Sequence, residues 1–146
     1  MERVNDTFLL IGRLLMAALF LTAGIYKITV FGYGGVVGYL AGLGLPYPEV
    51  LAVIVLAIEL LVPIALILGF LPRSSALLLI AFVVIATAAA HRFWEFPPAE
   101  QFNQMNHFLK NIALLGGLLF YYVSGPGAFA WAGRGAGAGM GAPARA

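Results

Sequence analysis

The fold class this sequence predicts is an all-α membrane four-helix bundle with a short interfacial segment between its first two helices. Three observations point there. Of 146 residues, 62% are apolar and only 10% are charged, against about half and about a quarter in soluble domains. Mean hydropathy is +0.99, which leaves too few polar residues to coat a water-facing surface. Four stretches, 7–28, 50–71, 75–91 and 106–123, are mostly apolar and near the roughly 20 residues that a bilayer-spanning helix needs. Backbone groups in lipid must be bonded within their own segment, so these stretches read as helices. Residues 1–123 form one domain on this reading, with no room for a separate soluble unit.

The first span opens at Thr7 and ends near Ile28. Its apolar stretch is too long for a signal peptide, Arg13 interrupts it, and Leu21-Thr22-Ala23 is a poor cleavage site, so it is expected to be retained. The connection from Thr29 to Glu49 is rich in Gly and Tyr and closes with Pro46 and Pro48. Tyr33, Tyr39 and Tyr47 suit a membrane–water interface, and a short helix is expected around 35–43. Gly69, Pro72 and Arg73, followed by Ser74 and Ser75, read as a stop, a tight turn and an N-cap, making the second and third spans an antiparallel hairpin. The third connection, HRFWEFPPAEQFNQMN, is polar and aromatic, and Pro97 and Pro98 break a helix there. From Gly125 onward, 15 of 22 residues are Gly or Ala, so 124–146 reads as a disordered tail.

Composition also excludes functions. The net charge of +2 comes from scattered cations, which gives no footprint for nucleic acid. Without cysteine the chain has no disulfide, thiolate metal site, iron–sulfur cluster or thiol relay. Orientation follows from the cations near the loops. Arg3, Arg73, Arg134 and Arg145 share one side of a four-span topology, so both termini are expected to be cytoplasmic.

The informative residues are those that lipid should exclude. Arg13 and Lys27 lie on the first span, Glu59 on the second, Thr87 and His91 on the third, and Lys110 and Asn111 on the fourth. A charge at the bilayer centre costs about 2.5–3.5 kcal/mol on insertion scales, so each must face the bundle or reach water. Arg13 and Lys27 are 14 residues apart, close to four turns, and share a face. Gly12, Phe20, Ala23 and Gly24 lie on or near it. Glu59 is the lone mid-span acid. Depth places it between Arg13 and Lys110, with Arg13 slightly favoured as its partner. Thr87 and His91 are an i,i+4 pair on one helix face. One acid among several cations favours an anion or a polar redox headgroup over a metal, and no metal set is expected. Arg13, Lys27, Glu59, His91, Lys110 and Asn111 are therefore the ligand-binding candidates, and Lys27, Glu59, His91 and Lys110 are expected to line one cavity. The structural readings stand beside this one. Glu59 and Arg13 would form an ion pair fixing helix register, Lys27 a snorkelling anchor, and Arg92 with Phe93 and Trp94 an interfacial belt. Haem ligation between His91 and His107 has no supporting motif.

Gly12-Arg13 leading into Phe20-Leu21-Thr22-Ala23-Gly24-Ile25-Tyr26-Lys27 resembles the opening helix of the DoxX family. So do Tyr39-Leu40-Ala41 with Gly44-Leu45-Pro46, Glu59 inside an aliphatic helix, Gly69-Phe70 with Pro72-Arg73, and Lys110-Asn111-Ile112-Ala113-Leu114-Leu115-Gly116-Gly117. The resemblance runs from about Thr7 to Val123. It implies a four-helix protein of the bacterial cytoplasmic membrane connected with redox metabolism, since relatives are described as subunits of a thiosulfate:quinone oxidoreductase or as membrane partners of soluble thiol enzymes in oxidative-stress complexes. Two functions remain open: a membrane subunit of a redox system, binding a quinone cofactor or a small oxyanion among the embedded polar groups with an oxidoreductase as partner subunit, or a non-catalytic anchor or assembly module whose charges serve packing. A transporter is disfavoured because no inverted repeat or broken helix pair is visible. Gly24, Gly116 and Gly117 suit close helix contacts within a protomer or in a homodimer.

Overall fold

A computed structural model describes residues 2–131. The chain forms α1 (Glu2–Tyr26), a π-helical turn (Lys27–Phe31), α2 (Gly32–Gly42), α3 (Pro48–Leu68), α4 (Pro72–Ala90), a 3-10 turn (Phe93–Glu95) and α5 (Pro98–Ser124). The four long helices build the expected bundle. α3 pairs with α1 and α4, and α5 packs on α4 and more lightly on α1. Three helical stretches, Arg3–Gly42, Pro48–Leu68 and Pro72–Glu95, are long and apolar enough to cross a membrane. α5 is long enough, but its first turns, PAEQFNQMNH, are polar.

Each helix buries one stripe. On α1 it is Arg13, Ala17, Phe20 and Gly24, with Lys27 half-buried in the same register. The predicted shared face of Arg13 and Lys27 is this stripe. Ala52, Glu59, Pro63 and Leu66 form the buried face of α3, Ser75, Ala76, Leu79, Val83 and Thr87 that of α4, and Asn111, Leu114, Leu118 and Tyr121 that of α5. Ala17, Phe20, Leu66, Leu79, Val83, Leu114 and Leu118 make the central core. A smaller cluster of Val36, Leu40 and Ala52 seats α2 on the start of α3.

Four boundaries differ from expectation. The first span does not stop near Ile28: the π turn carries the helix onward, and the chain bends at Gly32, whose φ of 66° suits glycine. α2 is the expected interfacial helix, begun a turn earlier. The α3–α4 turn is closed by Gly69 in the left-handed region, with the Phe70 amide donating to the Ala65 carbonyl at 2.8 Å, a Schellman closure. α4 then starts at Pro72 with Leu71 as N-cap, because proline is pre-set for a first helical position. Ser75 is inside the helix and donates to the Phe70 carbonyl at 2.9 Å. For the same reason Pro98 opens α5 instead of breaking it, eight residues before the predicted span.

The predicted tail from 124 needs a correction at its start. Pro126 and Ala130 lie against Gly69, and the Ala128 amide donates to Asp6 Oδ1 at 2.8 Å. The segment after α5 thus straps the projecting first turns of α1. Residues 132–146 lie outside the described residues.

Candidate functional site

Three polar clusters occupy three levels of the bundle. At the middle, Lys27 Nζ donates to both Glu59 oxygens, at 2.6 and 2.7 Å. Two local features make this reach. Gly24 lets α1 approach α3 so closely that a Cβ there would sit 2.9 Å from Leu60 Cδ2 and 3.1 Å from Glu59 Cβ. The π turn begins at Lys27 itself, and such turns re-aim the side chains they carry. Pro63, four residues on, lacks the N–H that would bond the Glu59 carbonyl. The Glu59 side chain is 6% exposed and that of Lys27 26%.

The second cluster joins the far ends of α4 and α5. Asn111 Nδ2 donates to Thr87 Oγ1 at 2.8 Å, and Thr87 donates onward to the Val83 carbonyl at 2.6 Å. Above them, His91 Nδ1 meets Gln104 Oε1 at 2.9 Å, and Lys110 Nζ meets His107 Nδ1 at 3.3 Å. The Gln104 amide oxygen can only accept and the Lys110 ammonium can only donate. The two rings stack at 5.1 Å with planes 21° apart. Among the described residues no three His, Cys, Asp or Glu side chains gather as a metal site.

Beside this cluster a groove of about 300 Å³ opens between α4 and α5, lined by Val84, Thr87, Ala88, Arg92, Trp94, Phe108, Ile112 and Leu115. Its aromatic wall is built by packing. Phe93 and Trp94 contact the Phe108 ring edge-on at 5.7 and 6.1 Å, turning the loop inward onto α5. Arg92 pairs with Glu95 at 3.2 Å, which leaves its terminal nitrogens outside that contact.

The third cluster surrounds Arg13, near the α3–α4 turn. The side chain is fully buried, and Nη2 donates to the Phe129 carbonyl at 2.7 Å.

Several sequence expectations change here. The partner of Glu59 is Lys27, not Arg13 or Lys110. The depth count set Thr7 level with the α3–α4 turn, whereas α1 runs antiparallel to α3 with Gly24 beside Leu60 and Arg13 beside Gly69, so the turns before Arg13 project past that turn. Lys27 is therefore level with Glu59, and Arg13 lies about 21 Å away along the axis. Lys27, Glu59, His91 and Lys110 do not line one cavity: the first two close on each other, and the last two belong to the α4–α5 end. Gly117 does make a close contact, a Cβ there lying 3.2 Å from Met16 Sδ, whereas Gly116 faces open space. Trp94, Phe108 and Gln104 carried no signal as site residues. Only the aromatic Arg92-Phe93-Trp94 run hinted at them, and it read as an interfacial belt.

Comparison with known proteins agrees with this architecture. The DoxX family model matches residues 8–92. Inner membrane protein YphA of Escherichia coli (strain K12) is 32% identical over 126 residues, covering 86% of this chain and 89% of that protein. Inner membrane protein YqjF of the same organism is 34% identical over 130 residues, covering 89% and 93%. No solved structure matches significantly.

Proposed function

Because this chain belongs to the DoxX family of integral membrane proteins, we propose that it is an inner-membrane subunit of a redox system that offers a quinone headgroup a slot between α4 and α5. The α4–α5 groove carries this reading. A quinone ring needs flat apolar walls and donors for its carbonyls. Trp94 and Phe108 supply aromatic wall, and Val84, Ile112 and Leu115 supply aliphatic wall facing the lipid from which a quinone arrives. Arg92 lines the groove through its aliphatic stem, and its guanidinium, paired with Glu95, would turn inward to donate to a quinone carbonyl. Asn111 lies behind Thr87, outside the lining, and keeps a second amide N–H beyond the one given to Thr87. Thr87 cannot be that donor, since its proton goes to Val83. A bound quinone would accept electrons and protons there. The chain's own part is to orient the ring and, through His91, Gln104, His107 and Lys110, to keep a proton-exchanging hydrogen-bonded group nearby. Electrons would come from an oxidoreductase partner subunit.

Solvent extraction of purified protein tests the reading. Wild type should release quinone in near-stoichiometric amount, and Trp94→Ala and Arg92→Gln should each lose most of it. Equal content in all three, or none in wild type, would refute the slot. A second reading, an anchor or assembly module, is favoured by one observation: Lys27 and Glu59 neutralise each other, so the mid-bundle charges need no ligand to balance them.

A further inference from the structure

We infer that Arg13 is the headgroup receptor of an anionic-lipid site in the groove between α1 and α5, at the opposite end of the bundle from the quinone slot and independent of it. Arg13 is 0% exposed. Of its five N–H donors, one is accounted for by the Phe129 carbonyl, while Nε and Nη1 have no partner among the described residues. The hydroxyl of Tyr121, on the facing helix, is buried beside Arg13 and makes no well-aligned hydrogen bond. A buried guanidinium normally has an oxyanion beside it, and none is supplied among the described residues. Asp6 accepts from the Ala128 amide and lies seven residues earlier on α1, about 10 Å along the axis. The ion pairs among the described residues do not include Arg13. Residues 132–146 contain no Asp or Glu.

The surroundings define the missing anion as the head of an amphiphile. Arg13 and Tyr121 line a groove of about 320 Å³ with Phe8, Gly12, Leu15 and Phe120 among its other walls. Phe8, Leu15 and Phe120 are 68%, 69% and 81% exposed, a surface suited to an acyl chain. Arg13 also touches Gly69 in the α3–α4 turn, the point where that hairpin reaches the membrane boundary and lipid phosphates lie. The strap at 126–130 closes the water side, so the groove is left open laterally. The two guanidinium nitrogens and the phenol lie closed off behind this wall, so a phosphodiester headgroup entering from the bilayer would part α1 from α5 to meet them, with its chain along the exposed aromatic and aliphatic wall.

The test is native mass spectrometry of the full chain with dioleoyl phosphatidylglycerol or dioleoyl phosphatidylcholine, with inorganic phosphate as competitor. Loss of hydrogen bonds to a charged group corresponds to about a tenfold change in retention or more. Wild type should retain phosphatidylglycerol about tenfold better than phosphatidylcholine, and Arg13→Gln should abolish the preference. Gly12→Leu keeps the fold falsifiably intact, because a Cβ at Gly12 meets nothing within 4 Å; it should exclude lipid by filling the groove. Retention that Arg13→Gln leaves unchanged would overturn the site. Displacement by inorganic phosphate would overturn the lipid assignment by showing that the headgroup alone suffices. Trp94→Ala should leave lipid retention unchanged, so failure of the quinone slot and failure of this site are separately visible.

Discussion

Replacing Lys27 with methionine should destabilise the bundle more than replacing Glu59, although the two residues share one ion pair. The asymmetry comes from geometry. The Glu59 side chain is 6% exposed at mid-helix, and its two oxygens lie 2.6 and 2.7 Å from Nζ. Its short side chain cannot reach water, so Lys27→Met strands a buried carboxylate, at a cost of about 3–5 kcal/mol. Lys27 is 26% exposed and has a long stem. With Glu59→Leu the ammonium can swing outward, which reduces the penalty to about 1–2 kcal/mol. The double variant removes both charges and keeps the volume, so it should fall within about 1 kcal/mol of wild type. A cycle of reversible unfolding measurements in mixed micelles would read a coupling of about 3 kcal/mol or more. Singles that add to the double within about 0.5 kcal/mol, the range for independent sites, would refute the reasoning.

Gly24→Leu should cost about 1–3 kcal/mol of stability in the same assay, because it overpacks the α1–α3 approach at Leu60 and Glu59. Gly116→Ala should stabilise by about 0.5–1 kcal/mol, since a Cβ there meets nothing within 4 Å and the helix loses a glycine. Asn111→Leu removes the 2.8 Å bond to Thr87 and should cost about 0.6–1.7 kcal/mol, the range for interhelical hydrogen bonds in lipid. A phosphatase fusion after residue 131 should be inactive in cells and a cytoplasmic reporter active, as the cation count around Arg73 predicts; the reverse result would invert the bundle.

Helix number, the stripe from Arg13 to Lys27 and the burial of Glu59 were legible because each follows from period and polarity within one segment. The partner of Glu59 was not, because it depends on where two antiparallel helices come level. Polarity does not fix that level: Arg13 sits beside the α3–α4 turn, so the helical turns from Glu2 to Asp6 project past it. The Arg92-Phe93-Trp94 run was ambiguous for a related reason. Its composition suits an interface belt, and only the position of Phe108 on α5 turns it into one wall of a groove.

The same logic explains why the predicted single cavity separates into three clusters. Arg13, Lys27–Glu59 and Thr87–Asn111 all face inward, so helical phase alone cannot tell them apart. Level does. Arg13 is beside the α3–α4 turn and Lys27 about four turns further along α1, while His91 caps α4 at the far end. A surplus of cations over one acid therefore does not mark one anionic pocket. Glu59 neutralises Lys27 at the centre, where water is scarcest and an unpaired charge costs most. The uncompensated guanidinium is left beside the α3–α4 turn, and Lys110 is left at the other end with the polar first turns of α5. On the proposed reading that distribution follows the dielectric profile of a bilayer, with one groove near each end of the bundle.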